Sequence, residues 1–369
     1  MSAMEDLTNA TPDEADAKTK DAYKRRLRLQ REARREVDAE LNPPKPKPSI
    51  ETLDARLRQR VAPTPWRIVD WMKVGHYVLL VAQYKAGKTT LIINLVRSLL
   101  DDVPFLDTFD VAPVRRIVLF DFEMADEERG QLDDWYHEAG VQSTDRLHVV
   151  PMRGRGSAFD ILEPTARAEW ASLLRDIGAD FAILDCIRPV MDALGLDENR
   201  EAGRFLNAYT ELLQEAGIRE GIAVQHMGHQ NERARGDSRF LDWPDAFWTL
   251  VREDDNPASR RFIKAFGRGV EVAEVALDYN PANHRMALGT GSRSNQKALT
   301  AIPDILTFVA NEQNPPTGTA IRKKVHEEYG HSDRVLRVAL DLAVSKGKLT
   351  KVDQGQNKFV YKIPTCVIP

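Results

Sequence analysis

Between residues 77 and 226 the chain repeats one pattern: a short apolar run, a longer amphipathic stretch, then another apolar run. YVLLVA (77–82), RIVLFDFE (116–123), LHVVPM (147–152), FAILD (181–185) and GIAVQH (221–226) read as strands, and segments near 88–101, 126–140, 164–177 and 199–216 read as helices. Continuous apolar runs of this length suit strands buried on both faces, and intervening helices supply the crossovers that parallel pairing requires. The pattern predicts an α/β fold, a parallel sheet flanked by helices, with its ligand at the carboxyl ends of the strands. Three later runs, AFWTLV (246–251), RRFIKAF (260–266) and VEVAEVALDY (270–279), have no long helix between them and are expected to add antiparallel strands.

The flanks differ in character. Residues 12–41 are crowded with arginine and nearly free of glycine and proline, and their only apolar pairs at helical spacing are Tyr23 with Leu27 and Val37 with Leu41. This predicts a polar helix with a thin apolar stripe, either a solvated arm or one that docks on a neighbouring subunit. PPKPKP (43–48) cannot continue a helix and reads as a semi-rigid spacer. GTGSRSNQ (289–296) has linker composition, and beyond it three helices near 299–311, 318–329 and 332–346 precede a hairpin turning at Gln354-Gly355. The expected organisation is an arm and spacer over 1–50, a core over 51–288, a linker over 289–297 and a small winged helix over 298–369.

Of the 369 residues 42% are hydrophobic, enough for a substantial core, and the net charge of -4 offers no sign of a nucleic-acid partner at the level of the whole chain. Two cysteines, Cys186 and Cys366, suit a reducing cytoplasm and are too few for a disulfide framework or a four-ligand zinc site. No apolar run reaches the roughly 20 residues that span a bilayer, and the acidic start has no apolar core of a secretion signal. The expected protein is soluble, cytoplasmic and free of membrane partners.

AQYKAGKT (82–89) departs at one residue from the phosphate-loop pattern G-x-x-x-x-G-K-[ST], with Ala82 in place of the first glycine. Such a loop works because backbone N–H groups at a helix start point at the anion, a lysine reaches the outer phosphates and a hydroxyl binds the metal. A strand runs into this segment and TTLIINLVRSLL runs out of it. Ala82, Gln83, Tyr84, Lys85, Ala86, Gly87, Lys88, Thr89 and Thr90 are therefore the candidate nucleotide-binding residues, for ATP with Mg²⁺. Alanine at 82 is tolerable provided its φ stays negative. Asp185, ending FAILD, is a candidate to support the Mg²⁺ beside Thr89. Glu123, just past the second strand, is placed to deprotonate an attacking water. Gln225 and His226, ending the fifth strand, are candidates to sense the γ-phosphate.

Taken in order, AQYKAGKTT, VLFDFEM, FAILD, AVQHMGH and ERARGDSRFLDWPDAFW resemble the RecA-fold ATPases of the plasmid RepA-like and DnaB-type replicative helicase group, over about residues 66–285. The resemblance implies a homo-oligomeric ring, usually a hexamer, with ATP at subunit interfaces and single-stranded DNA in the central channel. It implies Lys88 and Thr89 on phosphate and metal, Asp185 supporting Mg²⁺, Glu123 as catalytic base and His226 as sensor. Arg233, Arg235 and Arg239 then belong to a channel loop facing DNA phosphates. Lys264 and Arg268 stand where relatives carry a lysine and an arginine that reach into the neighbour's site, although K-x-R is stretched here to K-x-x-x-R, which leaves Arg261 as a rival to Arg268.

Residues 320–362 hold ten Lys or Arg against five acids, a basic excess inside an acidic chain. A winged helix here could place Arg334 and Arg337 in the major groove of duplex DNA with Lys351 and Lys358 on the backbone, or serve as a protein-docking module. The functional expectation is a DNA-stimulated, translocating helicase of plasmid or phage type. The alternatives are a nucleotide-switched DNA-binding or loading protein that does not unwind, and a regulatory ATPase acting on a protein partner.

Overall fold

The structure is a computed structural model and describes residues 12–41, 49–58, 62–228, 238–254, 256, 259–355 and 358–364. The chain divides into two compact units, Met1–Pro63 and Thr64–Pro369. The first holds the helix α1 (Pro12–Leu41) and the single turn and a half of α2 (Leu53–Arg58). On α1, Tyr23 and Val37 are more than half exposed, as a thin apolar stripe on a polar helix dictates. The proline spacer at 43–48 lies outside the described residues.

The second unit opens with a small ribbon, β1 (Trp66–Ile68) paired with β2 (Met72–Lys73). The main chain of alternation follows: β3 (Tyr77–Ala82), α3 (Lys88–Asp101), β4 (Ile117–Asp121), α4 (Arg129–Glu138), β5 (Leu147–Pro151), α5 (Pro164–Asp176), β6 (Phe181–Asp185), α6 (Ile187–Ala193), α7 (Ala202–Ala216) and β7 (Gly221–His226). After the four-residue α8 (Arg239–Asp242) come β8 (Ala246–Arg252), β9 (Arg261–Gly267), β10 (Val270–Asn280) and β11 (Arg285–Leu288). Among the described residues these build one nine-stranded sheet in the order β11-β10-β9-β8-β3-β7-β6-β4-β5. The fold is α/β, a mostly parallel sheet with helices on both faces.

The sequence expectation for AFWTLV needs correction. β8 is not antiparallel: it pairs in parallel with β3, with Val78 opposite Ala246 and Ala82 opposite Leu250. Among the described residues between β7 and β8 the one helix is α8, so the lack of a long helix in the pattern does not set the direction of β8. β9 and β10 are antiparallel as expected, and β11, a strand the sequence pattern does not announce, pairs antiparallel with β10. β3 thus lies between β7 and β8 at the middle of the sheet, its carboxyl end flanked by two parallel strand ends.

Parallel strands buried on both faces explain the apolar runs: β4 and β6 are buried at every position. One face packs against α3 and α4 through Leu91, Leu95, Leu99 and Leu132, with Trp71 set edge-on to Trp248 at 5.3 Å. The other packs against α5, α6 and α7 through Leu174, Val190, Phe205 and Tyr209. Each fully buried Leu, Ile, Val or Phe contributes about 1.5–3 kcal/mol, so the central strands are the least mobile elements and the loops at their carboxyl ends inherit a fixed base.

The expected linker at 289–297 is mostly helix. α9 (Arg293–Asn311) starts inside it, capped by the Ser292 side chain accepting from the Asn295 amide. Arg293 explains the early start: its guanidinium Nε donates to Glu274 on β10 at 2.9 Å and its own amide to the same carboxylate at 3.0 Å, which ties the helix to the sheet. α10 (Gly318–Tyr329), α11 (Asp333–Ser345) and the hairpin of β12 (Thr350–Asp353) with β13 (Phe359–Lys362) complete the chain around a core of their own, including Ile302, Ile305, Ile321, Leu336 and Leu340.

Candidate active site

The segment between β3 and α3 is a tight loop. Ala86 donates its amide to Gln83 O at 3.0 Å, and Gln83 is fixed from both ends, its amide on Leu250 O and its side-chain oxygen on the Arg252 amide, each at 3.0 Å. Lys85 and Gly87 take positive φ, 56° and 97°. Ala82 does not; it is fully buried as the last residue of β3, held between His226 and Leu250. The irregular first position therefore belongs to the strand, and the glycine the backbone demands is Gly87. A cavity of about 350 Å³ is lined by residues 84–90 with Glu123, Trp135 and His226.

Lys88, Glu123 and His226 converge there. The Lys88 ammonium donates to both oxygens of Glu123 at 2.9 Å, His226 Nε2 lies 2.9 Å from Glu123 Oε1, and the Cys186 thiol is 3.2 Å from the same oxygen. Burial by itself would raise the Glu123 pKa, but the His226 hydrogen bond, the Lys88 charge and the Lys88 and Cys186 hydrogen bonds outweigh it and bring it to about 2. For Lys88 burial works downward, and the charges around it, Asp185, Cys186 and Glu123, raise the net value above that of an ordinary lysine. The carboxylate is thus fully ionised and clamped between cationic and polar donors.

A second, smaller cavity of about 110 Å³ lies beside this cluster, lined by Thr89, Asp121, Glu123 and Asp185 with an apolar floor that includes Tyr136. Asp121 and Asp185 are paired in register across β4 and β6, and both are buried. Asp185 Oδ1 has no hydrogen-bond partner. Burial pushes its pKa up to about 7, with the Lys88 ammonium pulling the other way and Glu123 and Asp121 adding to the rise. A buried, orphaned carboxylate oxygen beside a second carboxylate and a hydroxyl is a hard-oxygen donor set deficient in positive charge, and it fits Mg²⁺.

Of the two polar groups expected at the end of β7, only His226 reaches Glu123. Gln225 points to the opposite face of the sheet, where its amide nitrogen is hydrogen-bonded to Glu198, because adjacent strand residues alternate faces. Lys264 and Arg268 are not at the chain's own nucleotide site. Arg268 follows β9 at the amino-terminal end of the parallel strands, 78% exposed and paired with Asp245 at 3.0 Å, while Lys264 lies mid-strand opposite Thr249. Arg261 is the arginine near the loop: its Nε donates to Ala86 O at 3.1 Å and its guanidinium lies over Tyr279. Arg233 and Arg235 lie outside the described residues; Arg239 opens α8, its side chain against Gly203 of α7. Arg334, Arg337, Lys351 and Lys358 are exposed on α11 and the terminal hairpin, with Arg337 paired to Asp333 at 2.9 Å and Lys351 over the Phe359 ring.

Residues 41–232 match the AAA_25 family, described as an AAA domain, over slightly more than half of the chain. The chain belongs to this family. The AAA domain so matched contains the phosphate loop, Glu123, Asp185 and His226, and ends before β8. The matched AAA domain is thus of ATPase type and carries the phosphate loop described above. No curated protein matches the chain. Among solved structures it is similar to the KaiC-like protein PH0186 of the hyperthermophilic archaeon Pyrococcus horikoshii OT3, at 16% identity and a TM-score of 0.43, over 60% of this chain and 93% of that one. No described helix of this AAA-domain chain is long and apolar enough to cross a membrane.

Three structurally important residues, Asp121, Asn94 and Trp135, are not among those the sequence singles out. Asp121 accepts the amides of Glu123 and Met124 at 3.0 and 2.9 Å, an Asx turn that aims the Glu123 side chain. The D-x-E spacing in DFEM was its available signal. Asn94, buried within α3, donates to Thr90 O and His284 O and accepts from the Met286 amide, joining the loop helix to the turn between β10 and β11. A lone Asn in LIINLV is the trace this leaves in sequence. Trp135 carries no local signal, and Arg261, which the sequence offers only as a rival to Arg268, gives no hint of its bond to the loop.

Proposed function

We propose that the chain is a ring-forming ATPase that couples ATP hydrolysis to translocation along single-stranded DNA. The observation that carries the catalytic part is the placement of Glu123 between Lys88 and His226 at the mouth of the phosphate loop. While Lys88 is bonded to Glu123 it suppresses that carboxylate as a base. A γ-phosphate competes for the same ammonium, and when Lys88 turns to it Glu123 loses its strongest cationic partner and becomes more basic, just as the attacking water has to be deprotonated. Thr89 and Asp185, with Asp121 beside them, would hold Mg²⁺, which would neutralise charge on the phosphates. His226 links Glu123 to the segment after β7, the proposed channel loop with Arg233 and Arg235, so loss of the γ-phosphate is felt where DNA would be gripped.

In this reading Arg268, with Lys264, serves a neighbouring subunit. Supporting that assignment, Arg261 is already engaged on its own loop while Arg268 is exposed at the opposite end of the sheet. The division into an arm over 1–50, a core over 51–288 and a winged helix from 298 belongs to the same proposal, with the basic excess of residues 320–362 suited to duplex DNA. The test is ATP turnover with and without single-stranded DNA. A several-fold stimulation that disappears in Lys88→Ala supports the proposal, and turnover indifferent to DNA rejects it. Displacement of a strand from a fork separates a helicase from a nucleotide-switched loader.

A further inference from the structure

One wall of the phosphate cavity is aromatic and takes no part in the chemistry above. Trp135, on α4, is half-buried and lines the same 350 Å³ cavity as Lys88 and Thr90. Its indole stacks on the His284 imidazole, with centroids 4.7 Å apart and planes at 28°. His284 is fixed from several directions. Its Nε2 meets the Glu138 carboxylate at 3.0 Å, its Nδ1 meets the Tyr279 hydroxyl at 3.0 Å, and its carbonyl accepts from Asn94, whose Nδ2 also donates to Thr90 O. The residue sits at φ 50°, a left-handed conformation uncommon for a side-chain-bearing residue and held here by those contacts. The imidazole is 14% exposed and is not part of the cavity wall, so one indole face is backed by a fixed ring while Trp135 itself lines the cavity.

A rigid indole, backed on one side and tied by way of His284 and Asn94 to the first turn of the phosphate-loop helix, has the properties of a stacking platform. It offers a large flat surface at little cost in conformational freedom, and aromatic stacking accepts any base while rewarding ring overlap. We propose that Trp135 stacks on the nucleobase of the bound nucleoside triphosphate and favours purines over pyrimidines. Glu138, Tyr279 and Asn94 are positioning residues that act through His284. The proposal rests on the nucleotide-site reading above.

The experiment measures binding of MgATP, MgCTP and Mg²⁺-tripolyphosphate to the full chain by calorimetry, for the unaltered protein, Trp135→Ala and Trp135→Phe. Trp135→Ala is expected to weaken MgATP about tenfold, the equivalent of ~1.4 kcal/mol and within the range of base stacking. It should leave tripolyphosphate unchanged and erase most of the preference for ATP over CTP. Trp135→Phe should return ATP affinity to within about threefold, since a smaller ring keeps most of the overlap. An alanine variant that loses both ligands alike reports a damaged loop and overturns the proposal, as does one that keeps full ATP affinity. Binding of neither ligand by the unaltered protein overturns the nucleotide-site reading and the proposal with it.

Discussion

Gly87 and Ala82 bracket the phosphate loop, and substitutions at the two positions should have opposite consequences. Gly87 sits at φ 97° and ψ 35°, where an alanine pays about 1–2 kcal/mol for the left-handed backbone. Its new methyl would lie 3.0 Å from Met286 Cε and 3.3 Å from Arg261 Nε. Both are ends of flexible side chains and can yield, but Arg261 yields by giving up its bond to Ala86 O, a charged donor bond worth about 1.5–3 kcal/mol. If ~3 kcal/mol of this falls on the binding-competent loop, MgATP affinity drops by about a hundredfold. Ala82→Gly removes one buried methyl and adds strand entropy, about 1–2 kcal/mol of global stability, with no charge or loop hydrogen bond involved. Calorimetric MgATP affinity and steady-state hydrolysis, both measured well below the melting midpoint of each variant, should show Gly87→Ala strongly impaired and Ala82→Gly near the unaltered protein. Equal impairment in the two would refute the placement of the loop.

Three further outcomes follow from the same geometry. Glu123→Gln should bind MgATP normally and lose about a hundredfold or more in turnover, the scale of a lost general base, read by single-turnover hydrolysis beside equilibrium binding. Asp185 has a folded pKa raised to about 7 above its unfolded value, so its share of stability is complete below pH ~4 and is lost as pH rises through 7, amounting to at most ~4 kcal/mol. Chemical denaturation of the ligand-free protein should therefore show stability falling between pH 4 and 8, with Mg²⁺ opposing the fall, and Asp185→Asn should flatten the profile and abolish the Mg²⁺ effect. Asn94→Ala leaves the buried Met286 amide and His284 carbonyl without their partner and should cost about 1–3 kcal/mol by urea denaturation; an unchanged midpoint would show the brace to be dispensable.

Local features were legible in the sequence because they depend on period and on what ends an element. The bounds of β3, β6, β7 and α3 follow from apolar runs and amphipathic periodicity, and the acids and the histidine at strand ends follow from chemistry confined to a few neighbouring residues. Gln225 was misjudged for a related reason: a strand end exposes two successive residues, and only the pleat decides which of them faces the site.

The chain by itself thus determined an alternating α/β sheet, a phosphate-loop pattern with its glycine at 87 and alanine at 82, and a carboxylate at each of two strand ends. Tertiary structure alone decided that β8 runs parallel beside β3, that Asp121 stands beside Asp185, and that Arg261, Met286 and His284 reach back onto the loop and its helix some 170 to 190 positions earlier in the chain. The physical reason is that pairing direction and long-range hydrogen bonds are set by how crossovers pack on a twisted sheet, and residue order along the chain carries almost no trace of such contacts.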